Sequence, residues 1–194
     1  MLDTHFRKYI QRIIEMGADF FIKLGRKAND ITILALFLGI FSGVLVYGGY
    51  KITALIFLWI SGYLDAVDGT MARKKGSSPF GTVMDITFDR IVEISIILGL
   101  AYRYPQYDKL LLLLASTIII SMTIFLTTGT MANKKSEKSF YYQAGLAERT
   151  EGFIMFSLII LFGEQSSIWL IIFIIMILIT VGQRFLEAKR ILKD

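Results

Sequence analysis

Four aspartates, Asp65, Asp68, Asp85 and Asp89, fall within 25 residues of this chain, in or beside long apolar stretches. A carboxylate inside a membrane span costs about 2.5–3.5 kcal/mol on insertion scales, so four together imply a task. Asp65 and Asp68 are three apart and share a helix face, which Gly69 and Ala72 continue with small residues. Asp85 and Asp89 are four apart on the next helix, with Gly81 one turn earlier on the same face. The short stretch Lys74–Phe80 makes these helices antiparallel neighbours whose acids face each other. Four carboxylates cannot all stay ionised side by side without cations. Hard divalent ions that prefer oxygen ligands answer this, Mg²⁺ or Mn²⁺ best. There is no cysteine, and the single histidine, His5, lies in a polar N-terminal stretch. Zinc is therefore less favoured, and acid–base work falls to carboxylates. Two ions between paired carboxylates suit phosphoryl transfer, and Arg73, beside the acids, suits a phosphate oxygen. The competing reading pairs the aspartates with Arg73, Arg90 and Arg149 as buried ion pairs. Three arginines do not balance four aspartates and Glu93, and pairing gives the glycines no role. Arg90 and Glu93, three apart, read as a pair of their own.

The elements that must position these residues are membrane helices. Of 194 residues, 55% are hydrophobic, mean hydropathy is +0.61, and the apolar residues come in blocks. Residues 3–24 read as an amphipathic helix in the membrane interface, with Phe6, Ile10, Ile13, Gly17, Phe21 and Leu24 at steps of three and four. Gly25 is its expected stop. Six apolar segments follow: Ile31–Gly48, Ile52 to about Met71, Gly81–Tyr102, Leu110–Met131, Leu146–Phe162 and Ile168–Gly182. Gly39 and Gly43 in the first form a small-xxx-small pair for close helix packing. The expected fold is an all-α membrane protein of six transmembrane helices plus the interfacial helix. Without a repeat, low-complexity tract or linker, 1–194 reads as one domain: interfacial helix 1–27, six-helix bundle 28–182 and charged cytoplasmic tail 183–194. No cleavable signal peptide is expected.

Six spans put both termini on one side, and the basic residues choose it. Arg7, Lys8, Arg12, Lys23, Arg26 and Lys27 precede the first span. Arg73, Lys74 and Lys75 follow the second, Lys134, Lys135 and Lys138 the fourth, and Arg184, Lys189, Arg190 and Lys193 the sixth. The opposite loops hold only Lys51, Arg103 and Lys109. The termini and the acidic site are thus expected on the cytoplasmic side of an integral membrane protein. The net charge of +5 suits an anionic leaflet or anionic substrates; nucleic acid is a poor partner for a chain mostly inside lipid.

The run Asp65-Ala-Val-Asp68-Gly69-Thr-Met-Ala72-Arg73, then Gly81-Thr-Val-Met-Asp85-Ile-Thr-Phe-Asp89, closely resembles the signature of the CDP-alcohol phosphotransferases. All eight defining positions of that signature are present. The spacer between Arg73 and Gly81 has seven residues where the family pattern has eight, which bears on loop geometry. Family members often carry Pro-Asn before the first span with a Thr three residues after the Asn; here Asn29 and Thr32 match, and Ala28 replaces the proline.

The resemblance implies a chemistry. A CDP-linked lipid, CDP-diacylglycerol first, would bind with its pyrophosphate on two Mg²⁺ or Mn²⁺ ions. Asp65, Asp68, Asp85 and Asp89 would be their ligands. Asp89 would also be the general base that frees the acceptor hydroxyl to attack the lipid-side phosphorus, with CMP leaving. Gly69 and Ala72 would admit the nucleotide, Arg73 would hold phosphate, and Asn29, Thr32 and Gly81 would complete the nucleotide site. The family also implies a homodimer.

For the acceptor, Lys134, Lys135, Lys138 and Arg149 flank the fifth span, and Ala147-Glu148-Arg149-Thr150-Glu151 resembles a segment of members that take a phosphorylated inositol. The lysines are equally expected from topology; Arg149, at the mouth of a span, is more telling. A cationic pocket would suit inositol phosphate or glycerol 3-phosphate; serine, free inositol and other alcohols stay open. Phe140, Tyr141 and Tyr142 read as interfacial anchors. The rival function is a divalent-cation transporter using the same carboxylates, but transport sites lie near the midplane in related halves, and these acids cluster toward one edge. A non-catalytic scaffold explains neither the acids nor Arg73.

Overall fold

In a computed structural model, residues 2–133 and 145–192 are described, with only the backbone for residues 2–9 and Asn133. Lys134, Lys135, Lys138, Phe140, Tyr141 and Tyr142 lie outside the described residues, as does the side chain of His5. Among the described residues seven α-helices follow in order: α1 (Leu2–Lys23), α2 (Ala28–Tyr47), α3 (Lys51–Lys75), α4 (Pro79–Arg103), α5 (Asp108–Asn133), α6 (Arg149–Phe162) and α7 (Ser167–Ile191). There is no strand among the described residues. The chain divides into two compact bodies, Thr4–Gln106 and Tyr107–Asp194.

In the first body α2 packs on both α3 and α4. Its buried stripe is Ile31, Thr32, Ala35, Gly39, Ser42, Gly43 and Val46, mostly small. Where no hydrophobic force drives apolar helices together in lipid, small residues and hydroxyls supply close contact. Ser42 Oγ donates to Ala54 O at 2.8 Å, and Ser61 Oγ to Ala35 O at 2.7 Å. A Cβ on Gly39 would strike Val92, and one on Gly43 would strike the Ser95 carbonyl. The expected small-xxx-small pair therefore faces α4. Helix α1 ends at Lys23, and Gly25, with φ of +72°, turns the chain out of it as expected.

Helix α1 packs on this body along one seam and leaves other apolar residues outward. Ala18 is fully buried, with Ile14, Phe21 and Ile22 packed beside it against Ile31, Leu64, Val67 and Met71. Ile10, Ile13 and Leu24 are exposed, together with Met16 and Phe20. Gly17 lets Tyr63 approach, so the small Gly17–Ala18 step docks on α3. Tyr63 Oη donates to Ile13 O at 3.1 Å, and Lys74 Nζ meets Asp19 Oδ1 at 2.5 Å.

In the second body α7 packs on α5 and α6, with Phe156 and Phe173 edge to face at 5.3 Å. Helix α6 begins at Arg149, not Leu146. Residues 145–148 lie along α7 instead: Ala147 N donates to Thr180 Oγ1 at 2.8 Å and Leu146 N to Gln183 Oε1 at 2.9 Å. The charged C-terminal stretch is helical and continues α7 without a break through Ile191.

By length and composition, four described helices can cross a bilayer: Ala28–Tyr47, Lys51–Lys75, Pro105–Ala132 and Ser167–Ile191. The other two expected spans do not meet that measure. Helix α4 carries Asp85, Asp89, Arg90 and Glu93. Helix α6 has 14 residues, a rise of about 21 Å against a hydrocarbon core of about 30 Å.

Candidate active site

The acids sit where α3 and α4 meet at a tight turn. Helix α3 continues through Arg73 to Lys75 and is capped by Gly76, whose N–H donates to Ala72 O at 2.9 Å. Gly76 has φ +105° and ψ 125°, a conformation closed to side-chain-bearing residues. Helix α4 then starts at Pro79, its first turn closed by Ser78 Oγ accepting from Gly81 N at 3.0 Å. Only Gly76, Ser77 and Ser78 separate the helices, so Lys74, Lys75, Pro79 and Phe80 of the seven-residue spacer are themselves helical.

One carboxylate oxygen from each of Asp65, Asp68 and Asp85 lies within 4.8 Å of the other two. Asp65 and Asp68 are buried and Asp85 half-buried. Asp89 stands outside this group, one turn further along α4, a rise of about 6 Å. Asp89 Oδ2 is 4.0 Å from Arg90 Nη2, while Arg90 Nη1 pairs with Glu93 Oε2 at 2.7 Å, as its spacing predicts.

A cleft of about 630 Å³ opens beside the acids. Asn29, Thr32, Asp68, Gly69, Ala72, Arg73, Gly81 and Asp85 all line it, so eight residues singled out by sequence pattern share one wall. Each small residue has a legible part. A Cβ on Gly69 would meet only Arg73 Nη1 at 3.5 Å, which leaves open space over that turn. A Cβ on Gly81 would lie 3.0 Å from Ser78 Oγ and 3.1 Å from Asn29 Oδ1, so Gly81 brings the start of α4 up to the start of α2. Thr32 Oγ1 is tied to Ala28 O at 3.1 Å, and Asp30 caps α2 by accepting from Lys27 N at 3.0 Å.

The cleft also takes Arg26, Lys27, Lys75, Ser78 and Thr82, which sequence pattern assigned to topology or not at all. Among the expected acceptor residues, Arg149 is the exposed first residue of α6, its guanidinium 5.9 Å from the Phe153 ring centre. Arg184, by sequence one of the basic residues after the last span, is 7% exposed. Its Nη1 donates to Ser121 Oγ at 2.9 Å and Ser121 O at 3.3 Å, and its guanidinium lies 4.9 Å from the Phe125 ring centre. It lies four residues after the buried Thr180, on the same face of α7.

A cluster of three carboxylate oxygens, without sulfur or imidazole, fits a hard divalent cation, which would also relieve their mutual repulsion. Residues 26–184 match the family model described as CDP-alcohol phosphatidyltransferase. The chain is 31% identical to an uncharacterized protein of Aquifex aeolicus, over 100% of this chain and 97% of that one. It is 29% identical to an archaetidylinositol phosphate synthase of Pyrococcus horikoshii, over 96% of each. The crystal structure of Mycobacterium tuberculosis phosphatidylinositol phosphate synthase with CDP-DAG bound shares the fold, with TM-score 0.72 at 21% identity, covering 92% of this chain and 94% of that one. The family match gives the transporter reading no support. The family uses divalent cations. By its motif, its cleft and this match over most of its length, the chain belongs to the CDP-alcohol phosphatidyltransferase family and is a transferase of phospholipid biosynthesis.

Proposed function

We propose that this enzyme transfers a phosphatidyl group from a CDP-linked lipid, CDP-diacylglycerol first, to the hydroxyl of a small phosphorylated alcohol, releasing CMP. The observation that carries it is the convergence of Asp65, Asp68 and Asp85 within 4.8 Å beside a cleft lined by Gly69, Ala72, Arg73 and Gly81 of the motif. The CDP-DAG held by the M. tuberculosis protein supports the donor. The inositol phosphate products in the names of similar synthases support a phosphorylated acceptor, inositol phosphate ahead of glycerol 3-phosphate.

Asp65, Asp68 and Asp85 would hold the cations, with Asp89 completing the set from the next turn. Two Mg²⁺ or Mn²⁺ ions bound there would supply neutralising charge for the phosphate oxygens. Asn29, Thr32, Gly69, Ala72 and Gly81 shape the nucleotide wall, and Arg73 holds phosphate. Asp89 takes the proton from the acceptor hydroxyl, whose oxygen attacks the lipid-side phosphorus. Arg149 and Arg184 serve the acceptor's phosphate, with Lys134 and Lys135 joining them. A guanidinium buried in an apolar helix is kept for such a task. The reading includes six crossings as a homodimer, with both termini and the site facing the cytoplasm and α1 in the interface. The basic residues near α1, the α3–α4 turn and α7 support that sidedness.

The test is CMP release by purified protein given CDP-diacylglycerol, Mg²⁺ or Mn²⁺, and inositol phosphate, glycerol 3-phosphate, inositol or serine. Release with inositol phosphate, lost on chelation, is expected. Asp89→Asn should abolish turnover and retain CMP binding. Release with serine or inositol alone overturns the acceptor assignment; metal-driven ion flux in vesicles without CMP release overturns the reaction.

A further inference from the structure

We infer that Thr70, which nothing in the motif assigns, is a positioning residue that holds Arg73 in its phosphate-binding pose. The inference rests on the reading of Arg73 given above. Thr70 is 4% exposed and does not line the cleft, whereas Gly69 and Arg73, on either side of it in sequence, both do. Arg73 Nη2 donates to Thr70 Oγ1 at 2.7 Å. Thr70 Oγ1 lies 3.0 Å from Ala66 O, one turn back. A hydroxyl has one proton and two lone pairs. The Ala66 carbonyl can only accept, so it takes the proton, and the guanidinium can only donate, so it takes a lone pair. The hydroxyl is therefore polarised by one neighbour in the sense the other requires.

Arg73 is itself exposed, in the last turn of α3 before Gly76. An exposed arginine has many rotamers, and ordering it at the moment of binding costs side-chain entropy. Thr70 removes that freedom beforehand by tying one end of the guanidinium to a buried point. The other end reaches over Gly69, with Nη1 3.5 Å from where a Cβ there would stand. The hydroxyl fixes one nitrogen, and the missing side chain leaves room for the other beside the cleft. Binding of the donor's phosphates then starts from an ordered cation.

The experiment measures KM for CDP-diacylglycerol and kcat in the full-length enzyme for Thr70→Val, Thr70→Ser, Arg73→Ala and the double variant Thr70→Val/Arg73→Ala. Valine keeps the shape and removes the hydroxyl; serine keeps the hydroxyl. Thr70→Val should raise KM about fivefold to tenfold with less change in kcat, Thr70→Ser should restore it, and valine should add nothing once Arg73 is gone. Thr70→Ala carries the same expectations if the valine variant does not accumulate. Equal effects of Thr70→Val with and without Arg73, or a serine variant as impaired as valine, overturn the positioning role. An unchanged KM in Arg73→Ala refutes the phosphate assignment of Arg73 itself; an impaired Arg73→Ala beside a normal Thr70→Val refutes Thr70 alone.

Discussion

The two bodies of this chain handle charge in opposite ways. Residues 4–106 draw three carboxylates to within 4.8 Å of one another, beside an open cleft. Residues 107–194 bury an arginine and settle it against a serine and a phenylalanine ring. Gathered acids repel and are completed by cations from outside. A guanidinium held by a hydroxyl and an aromatic face is oriented in advance. The contrast teaches a division of labour under the proposed reaction: the first body works on the donor and its metals, the second on the acceptor.

The sharpest way to break this contrast is to remove an acid. Asp85→Asn should cut kcat about a thousandfold with every acceptor, while helical content by circular dichroism stays unchanged. Arg184→Met should raise KM for the phosphorylated acceptor about tenfold to a hundredfold, the range of one or two lost charge-assisted hydrogen bonds, and leave KM for CDP-diacylglycerol alone. A change in both KM values would erase the distinction between the bodies. Gly76→Ala forces a side chain into φ +105° and should cost about 1–3 kcal/mol of stability, read as a lowered melting temperature in detergent. Gly81→Ala should do least. Its new Cβ meets the ends of Ser78 and Asn29 at 3.0 and 3.1 Å, side chains that can turn aside, so a rise of about twofold to fivefold in KM for the donor is expected.

The acidic site was legible because its residue types are costly where they stand. Asp65, Asp68 and Asp85 in apolar helices need a reason, and Gly69 and Gly81 recur on their faces at helical spacing. The helices were legible as apolar blocks, and Gly25 and the Gly39–Gly43 pair as a stop and a contact. Other features hid behind long-range partners. The true start of α6 depends on Thr180 and Gln183, more than thirty residues later. Arg184 looks like any tail charge until Ser121 and Phe125 are brought to it. The inward seam of α1 depends on Tyr63 of α3. Thr70 occupies a variable place within the motif, and only the course of the Arg73 side chain gives it meaning.

Gly43 and Gly99 let the main chains of α2 and α4 touch, so that a Cβ on Gly99 would strike the Gly43 carbonyl. Two backbones in such contact form a spine that cannot shear by a residue without driving side chains into carbonyls. Asn29 and Thr32 on one helix and Asp85 on the other therefore ride on a single stiff wedge.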